Sequence, residues 1–169
     1  MRVIGLTGWS GSGKTTLLEA MLPWFVRQGI SVSTVKHAHH GFDMDRPGKD
    51  SHRHRLAGAR EVLVAGGDRW ALLAETPDGP PPLSALLARL APVDLVLIEG
   101  FKADSHPKIE VHRPALGKPP IWPGRPDVVA IATDTAPESL DDCGGRAVLA
   151  LSEPAEIAAW AWRYLRTAA

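Results

Sequence analysis

The segment spanning residues 8–15 constrains the fold more than any other part of the chain. It reads Gly-Trp-Ser-Gly-Ser-Gly-Lys-Thr and so has the spacing Gly-x-x-x-x-Gly-Lys-Thr. Glycines let the backbone wrap closely around an anion, so that successive N–H groups point inward at phosphate oxygens. The pattern predicts a phosphate-binding loop that connects a buried strand to a helix.

Both flanks of this loop agree with that prediction. Residues 3–7 form a short apolar and β-branched run, which is typical of a buried parallel strand. Apolar side chains at helical spacing follow the loop and predict a helix over residues 14–28, ended by Gly29. A glycine-rich turn that merely joins strand to helix is the alternative, but it would gain nothing from the Lys and Thr after the last glycine.

Most positions of the loop have an expected contact. Lys14 supplies a positive charge for the β- and γ-phosphates, the Thr15 hydroxyl is a candidate Mg²⁺ ligand, and Thr16 can donate to the α-phosphate. The helix that begins near Lys14 adds its positive N-terminal dipole. The candidate nucleotide-binding residues of the loop are Ser10, Gly11, Ser12, Gly13, Lys14, Thr15 and Thr16.

The acidic half of such a site is expected at the end of a second buried strand. Residues 94–98 are strongly apolar and are closed by Glu99 and Gly100. Glu99 is a candidate catalytic carboxylate that binds Mg²⁺ through water or orients a nucleophile. Together with Thr15 it forms the candidate metal site. The alternative is a strand-end carboxylate that faces solvent.

The remaining periodicity predicts an α/β fold: a single three-layer, P-loop NTPase-like domain over residues 1–169 with a mostly parallel sheet. Further strands are expected over residues 30–35, 61–65, 70–74, 108–112, 128–132 and 147–151. Helices are expected over residues 83–90 and from a Ser152 cap through Arg166. The glycine-rich turn at residues 66–69 indicates an added β-hairpin, whose edge can pair across a two-fold axis.

Composition narrows the classes of function. Hydrophobic residues make up 44% of the chain and charged residues 22%, as in ordinary globular proteins, and the formal net charge is zero. A dedicated nucleic-acid binder usually carries a basic surplus, so nucleic acid is not an expected partner. No apolar run approaches the ~20 residues that span a bilayer, so no membrane partner is expected and the sequence predicts a cytoplasmic protein. The single cysteine, Cys143, excludes an internal disulfide.

Residues 36–60 concentrate positive charge and histidine. The segment holds six Lys or Arg against three Asp, and five of the seven histidines of the chain. In P-loop proteins this region faces the γ-phosphate and acts as a switch. Asp43, Asp45 and Asp50 are candidates to reach Mg²⁺, and Asp50 is also a candidate catalytic residue. The candidates for contact with phosphate are Lys36, Lys49 and Arg53.

Three alternatives stay open for this segment. It can be a solvated basic loop without a role. Its histidines at positions 37, 39, 52 and 54 can bind zinc in a metal-handling NTPase, although no cysteine joins them. In a small-molecule kinase, the arginines at positions 46, 53, 55 and 60 would clamp a transferred phosphate.

Three stretches are more specific than the phosphate loop alone. They are Lys-His-Ala-His-His-Gly-Phe-Asp-Met-Asp-Arg-Pro-Gly-Lys-Asp-Ser at residues 36–51, Leu-Ile-Glu-Gly-Phe-Lys at residues 97–102 and Lys-Ile-Glu-Val-His-Arg at residues 108–113. With the loop, they closely resemble the molybdopterin-guanine dinucleotide biosynthesis protein B family, known as MobB. The resemblance covers almost the whole chain.

The resemblance implies a dimeric GTP-binding adaptor with weak intrinsic GTPase activity. Such proteins assist the nucleotidyltransferase that joins GMP from GTP to molybdopterin, which gives the guanine dinucleotide form of the molybdenum cofactor. The implied cofactors are GTP and Mg²⁺. The implied partners are that nucleotidyltransferase, a second copy of the chain and, as a further candidate, molybdopterin. The family's phosphate-binding residues correspond to residues 11–16, and its acidic strand end corresponds to Glu99.

Two residue types bear on catalysis and on the choice of base. An efficient GTPase orients its water with a polar side chain, but the only glutamine, Gln28, lies about 20 Å from the phosphates at the far end of the first helix. We therefore expect at most a slow GTPase. The chain has no asparagine, so the Asn-Lys-x-Asp guanine signature is absent. Asp134, after the strand over residues 128–132, is the candidate acceptor for guanine, and a turn cap is the alternative.

Overall fold

The structure, a computed structural model, describes residues 1–38, 45–140 and 142–167. Its strands are β1 Arg2–Thr7, β2 Val32–Lys36, β3 Glu61–Ala65, β4 Trp70–Ala74, β5 Leu95–Glu99, β6 Lys108–His112, β7 Val128–Thr133 and β8 Ala147–Ala150. Its helices are α1 Lys14–Arg27, α2 Asp50–Leu56, α3 Leu83–Leu87 and α4 Pro154–Thr167. The chain divides into two compact units, one made of Met1–His37 with Leu90–Ala169 and one made of Ala38–Arg89. The expected single domain stays a prediction.

The first unit is built on a parallel sheet, as the alternation of strands and helices predicts. Within the described residues, six strands form this sheet in the order β2-β5-β1-β6-β7-β8, and every neighbouring pair is parallel. Ligands of parallel α/β sheets gather at the carboxyl ends of the strands, on both sides of the point where the strand order reverses. Here that point is β1, so the loop after β1 and the ends of β5, β6 and β7 share one edge.

The main core lies between the sheet and two helices. Met21 and Phe25 of α1 and Ile157 and Ala161 of α4 are all 0% exposed and pack in one cluster with the apolar residues of the sheet. Successive side chains of a strand point to opposite faces of the sheet. Ile131 of β7 points to the face opposite the main core. There it packs with Trp122 and Val128 in a second, smaller cluster.

Strand β6 is fully buried although it carries charge. Lys108 and Glu110 are both 0% exposed, and His112 is 8% exposed. The Lys108 ammonium donates to Asp127 Oδ2 over 2.8 Å, and the same carboxylate also accepts from Arg125. These contacts hold the pKa of Asp127 well below its usual range, with the Arg125 hydrogen bonds as the largest cause. The buried charge of Lys108 is therefore paired, which is what burial of an ion requires.

Glu110 anchors the proline-rich stretch that follows β6. Its two carboxylate oxygens accept from the backbone N–H of Ile121 over 2.9 and 3.0 Å. Burial raises the pKa of Glu110, and the hydrogen bonds from the backbones of Ile121 and Trp122 oppose that rise. A loop of this composition has no ladder of its own, so a buried acceptor beneath it supplies the missing partner for its backbone.

The second unit contains the expected hairpin. Strands β3 and β4 pair antiparallel from Glu61 opposite Ala74 to Ala65 opposite Trp70, and Gly66 N–H donates to the Arg69 carbonyl across the turn. Both strands have the predicted bounds. Helix α2 lies in the histidine-rich segment at residues 36–60, for which the sequence analysis predicted no helix. Asp50 begins this helix, and its last turn is basic, which suits the helix dipole at both ends.

Several element boundaries differ from the sequence predictions. Strand β2 begins at Val32 instead of residue 30, and α3 ends at Leu87 instead of residue 90. The last helix begins at Pro154, and the Glu153 carbonyl accepts the first helical hydrogen bond from Ile157. The expected Ser152 cap is therefore wrong by one position. None of the described helices has the length and apolar character needed to cross a membrane.

Candidate functional site

The loop after β1 requires glycine at its first position. Gly8 has φ +146°, and a Cβ built on it would lie 2.6 Å from the Val111 carbonyl oxygen and 2.7 Å from Ser12 Oγ. Such distances exclude any side chain. Gly13, the residue before α1, has φ +94°, a left-handed conformation that favours glycine. The glycine pattern of the sequence thus has a direct steric cause.

The start of α1 leaves its first backbone donors available. Gly13 occupies the position before the helix, and no side chain among the described residues caps it. The first N–H groups of a helix have no partner within it, so this end is suited to an anion. Ser12 Oγ adds a further polar atom, because it is buried without a hydrogen-bond partner in the described residues.

Lys14 folds back over the loop. Its ammonium donates to the Gly8 carbonyl over 3.1 Å and to the Trp9 carbonyl over 2.9 Å. Burial lowers the pKa of Lys14, and the positive charges of Lys102 and Lys36 lower it further, while Glu99 acts in the opposite direction. Three lysines thus converge on one site, which favours an anion of high charge there.

Thr15 and Glu99 meet at the candidate metal position. The Thr15 hydroxyl donates to Glu99 Oε1 over 2.9 Å. The Lys36 ammonium lies 3.4 Å from Glu99 Oε1 and 3.4 Å from Thr15 Oγ1. Hydroxyl and carboxylate oxygens are the hard ligands that Mg²⁺ prefers, and Mg²⁺ in nucleotide sites keeps several waters and phosphate oxygens besides one or two protein groups. This donor pair therefore fits a nucleotide-bound Mg²⁺.

Arg113, for which no role was predicted from the sequence, connects the phosphate loop to Asp134. Its Nε donates to the Ser12 carbonyl over 3.0 Å, and its Nη1 donates to Asp134 Oδ2. Asp134 follows β7 directly, as predicted. The sequence signals for Arg113 were its place at the end of a strand and in the family-specific stretch at residues 108–113. The pairing of that strand with β1 was not predictable from the motif.

Trp9 packs between the loop and two distant residues. Its indole N–H donates to the Pro119 carbonyl over 2.7 Å, and the Lys102 ammonium lies 4.8 Å from the centroid of its ring. A cation over an indole face is attracted by the negative face of the ring. Trp9 thus holds the proline-rich stretch and Lys102 next to the phosphate loop.

Comparison with known proteins identifies the family. The sequence profile described as "Molybdopterin guanine dinucleotide synthesis protein B", or MobB, matches residues 3–134. This match covers the phosphate loop, Glu99 and Asp134. The chain belongs to the MobB family.

Curated relatives and solved structures agree with that membership. The chain is 41% identical over 143 residues to the molybdopterin-guanine dinucleotide biosynthesis adapter protein of Escherichia coli K12, covering 82% of this chain and 81% of the relative. It is 46% identical over 119 residues to the adapter protein of Haemophilus influenzae, covering 69% of this chain and 66% of that protein. The crystal structure of a MobB homologue from Bacillus stearothermophilus superposes with a TM-score of 0.72 at 28% identity, over 99% of both chains. The structure of Bacillus subtilis MobB gives a TM-score of 0.75 at 25% identity, over 96% of this chain and 97% of that one.

In this MobB-family chain, most of the predicted site residues come together. Within the first unit, Thr15, Lys36 and Glu99 are in contact with one another, and the charges of Lys36 and Glu99 act on Lys14. The remaining loop residues of the prediction, Ser10, Gly11, Ser12, Gly13 and Thr16, occupy the turn between β1 and α1 and the first turn of α1. Their contact with nucleotide stays a prediction.

Apart from Lys36, the residues predicted from the histidine-rich segment belong to the second unit or lie outside the described residues. Lys49 and Asp50 belong to the second unit, where Asp50 is exposed and pairs with Arg53 over 3.6 Å. Asp45 is buried there and accepts from the Ser51 hydroxyl over 2.5 Å. Asp43 lies outside the described residues. The roles of these residues at Mg²⁺ or phosphate stay predictions.

The zinc alternative has no support among the described residues. They contain no group of three or more His, Cys, Asp and Glu side chains that could hold a metal ion. His37 packs against Phe101, with ring centroids 4.8 Å apart. His39, which the zinc alternative also uses, lies outside the described residues.

Proposed function

We propose that this chain is a Mg²⁺-dependent GTP-binding adaptor in molybdenum cofactor biosynthesis. In this role it assists the nucleotidyltransferase that forms molybdopterin guanine dinucleotide, and it hydrolyses GTP slowly at most. Family membership and the adapter designation of its relatives support the adaptor role over a small-molecule kinase. The observation that carries the nucleotide-binding part is the contact of Thr15 with Glu99 beside the glycine loop.

The charges of the site support a triphosphate with its metal. Lys14, Lys36 and Lys102 supply three positive charges, and Glu99 supplies one negative charge that a divalent cation can share. The helix N-terminus adds backbone donors. Such a site binds by positioning and by electrostatic attraction, and these are the means by which P-loop proteins hold phosphates.

Slow hydrolysis is supported by the position of the one glutamine of the chain. The only glutamine of the chain, Gln28, follows α1 at the end opposite the phosphate loop. With no glutamine near the phosphate loop to orient the attacking water, we expect turnover below about 1 s⁻¹ in the isolated protein. The bound nucleotide is then held for the partner enzyme instead of being consumed.

Guanine is supported by the place of Asp134 at the end of β7. Strand β7 is the second strand from β1, and ligands of such sheets gather at the carboxyl ends of the strands near the point where the strand order reverses. We therefore expect Asp134 to reach the base of a nucleotide whose phosphates occupy the loop after β1. A carboxylate can accept from the adjacent N1–H and N2–H₂ groups of guanine, and adenine lacks this pair of donors.

A homodimer is supported by the exposed apolar surface of the hairpin. Leu63, Val64 and Trp70 are 61%, 46% and 67% exposed. The hairpin is a two-stranded sheet of its own within the described residues, and exposed strand edges invite pairing with another chain. Light scattering tests this surface directly: Leu63→Asp should give monomers, and Asp68→Asn in the turn should leave the dimer intact.

Calorimetric binding of GTP and ATP, each with and without Mg²⁺, tests the nucleotide assignment. The wild type should prefer GTP with Mg²⁺, and Lys14→Ala should lose at least about tenfold in affinity. Arg27→Ala, which removes a charge at the opposite end of the same helix, is the matched control and should bind normally. Equal affinities for GTP and ATP would remove the guanine assignment, and unchanged binding by Lys14→Ala would remove the phosphate-loop assignment.

Turnover and partner binding test the adaptor role. The protein should co-elute with the nucleotidyltransferase in the presence of Mg²⁺–GTP. Hydrolysis by the isolated protein at tens of molecules per second, or phosphate transfer to a small acceptor, would favour an enzyme over an adaptor.

A further inference from the structure

Arg113 spans the carboxyl ends of three neighbouring strands. The strands β1, β6 and β7 are consecutive in the sheet. Ser12 lies in the loop after β1, Arg113 is the first residue after β6, and Asp134 is the first residue after β7. One guanidinium group thus bonds to the phosphate loop through Nε and to the carboxylate of Asp134 through Nη1.

The geometry of arginine suits this bridge. The guanidinium is planar and its donors point in fixed directions, so two acceptors bound to it have a fixed separation and orientation. Its Nη2 lies 3.6 Å from the position that a Cβ on Gly13 would take, so the group lies along the flank of the loop where α1 begins. A lysine ammonium has the same charge but lacks the planar group with donors in fixed directions.

The bridge leaves part of Asp134 available. Arg113 bonds to Oδ2, and Oδ1 has no hydrogen bond to the described residues. The two side chains are 38% and 39% exposed, so a ligand can reach the carboxylate. A carboxylate whose direction is fixed rejects a base that lacks the matching donors more strongly than a freely rotating one does, because the mismatch leaves polar groups unpaired.

We propose that Arg113 is a positioning residue for purine discrimination, which fixes Asp134 relative to the phosphate loop so that its free oxygen meets the N1–H and N2–H₂ edge of guanine. This inference rests on the proposed binding of GTP. It assigns to one arginine a coupling between phosphate binding and base choice in a chain that has no asparagine and so lacks the Asn-Lys-x-Asp guanine signature.

The test compares the affinities of three ligands: GTP, ATP and inorganic tripolyphosphate, which carries no base. In Arg113→Ala, the preference for GTP over ATP should fall about tenfold, the size of one lost charge-assisted hydrogen bond. Affinity for tripolyphosphate should change by less than about threefold, because Lys14 and the helix start remain. Arg163→Ala, an exposed arginine of α4, should leave all three affinities unchanged.

Two further variants separate the effect of the planar guanidinium geometry from the effect of its positive charge. Arg113→Lys keeps the charge but cannot hold two acceptors in place, so its preference for GTP should also fall. Asp134→Asn should lose the preference, and adding Arg113→Ala to it should produce little further loss. Thermal unfolding of each variant checks that the fold is intact, and Arg113→Lys still gives the test if Arg113→Ala does not fold.

The outcomes distinguish this inference from the function on which it rests. Failure of the wild type to bind GTP, or to prefer it over ATP, would overturn the proposed guanine-nucleotide function and this inference with it. A wild type that prefers GTP, with a preference that survives in Arg113→Ala, would overturn the role of Arg113 alone. Equal loss of GTP and tripolyphosphate affinity, or full rescue by Arg113→Lys, would also overturn it, because either result points to general support of the loop or to charge alone.

Discussion

Thr15 Oγ1 donates a hydrogen bond of 2.9 Å to Glu99 Oε1, although the two residues lie 84 positions apart in the chain. Glu99 ends β5, and Thr15 lies in the first turn of α1, after the loop that follows β1. Strands β1 and β5 are paired in parallel, with Leu6 opposite Glu99. The pairing of these two strands therefore sets the geometry of the candidate metal position, and each residue can be tested for its effect on Mg²⁺.

Glu99→Gln should reduce the effect of Mg²⁺ on GTP binding. The amide oxygen carries no charge and is a weaker ligand for a hard cation, so the gain in GTP affinity on adding Mg²⁺ should shrink about tenfold. Calorimetry in EDTA and in Mg²⁺ measures this gain. Glu156→Gln, at an exposed carboxylate in the first turn of α4, is the control. An unchanged Mg²⁺ effect in Glu99→Gln would show that Glu99 has no part in metal binding.

Lys36→Met should increase the gain in GTP affinity that Mg²⁺ produces, whereas Glu99→Gln should reduce it. The Lys36 ammonium lies 3.4 Å from both Thr15 Oγ1 and Glu99 Oε1, so it neutralises the carboxylate when no metal is present. Its loss should weaken GTP binding about fivefold in EDTA and less in saturating Mg²⁺, because the metal then supplies the positive charge. The gain from Mg²⁺ should therefore increase. If the gain in GTP affinity from Mg²⁺ falls in Lys36→Met as it does in Glu99→Gln, the Lys36 ammonium and the metal do not share one position.

Asp127→Asn should destabilise the fold without removing a nucleotide contact. Lys108 is completely buried, and its ammonium lies 2.8 Å from Asp127 Oδ2. Breaking a buried ion pair leaves an uncompensated charge, which costs about 3–5 kcal/mol. The free energy of unfolding in urea at pH 7 measures the loss, with the exposed Asp78→Asn as control. A loss below about 1 kcal/mol would mean that solvent reaches Lys108.

His106 should make the stability of the protein depend on pH. Burial, with a smaller contribution from the Lys108 charge, lowers the pKa of His106 from 6.5 to about 4. The folded ring stays neutral while the unfolded ring becomes protonated, so its contribution is fully present above pH 6.5 and is lost as the pH falls from 6.5 towards 4. Asp104 and Asp127 act on the ring in the opposite direction.

The comparison that isolates His106 is with His106→Gln, which cannot titrate. The wild type should lose about 2 kcal/mol more than the variant between pH 7 and pH 4.5, less than the full linkage value because the ring is only partly buried. Urea unfolding at each pH measures both proteins. Parallel stability curves would exclude this histidine as a source of the pH dependence.

Much of the first unit was predictable because its signals are local. Glycine spacing and helical periodicity are read within a few residues, and the predicted ends of β1 and α1 differ from the structure by only one residue. Ile30 misled the prediction of β2, because it is buried by its packing against the core and not by pairing in the sheet. Pairing with β5 begins at Val32, opposite Leu95.

The contacts that complete the site were not predictable, because they depend on strand order. Arg113 reaches Ser12 across 101 positions of sequence, and Trp9 reaches Pro119 across 110. The sequence predicted β6 as a strand, yet nothing in its composition indicated that Lys108 and Glu110 would be fully buried. Charged residues are seldom buried without partners, and here the partners come from loops with no periodic signal.

The strand order has a consequence for how the protein is made. β1 lies at the centre of its sheet, but both of its neighbours, β5 and β6, come from the second half of the chain. The ribosome therefore synthesises the phosphate loop long before the strands that support it. Until β5 and β6 are made, the apolar strand β1 has no pairing partner in its sheet. Pairing over such long sequence separations slows folding and exposes the nascent chain to aggregation. Glu99 is also synthesised late, so we expect an unfinished chain to have no complete nucleotide site that could capture GTP.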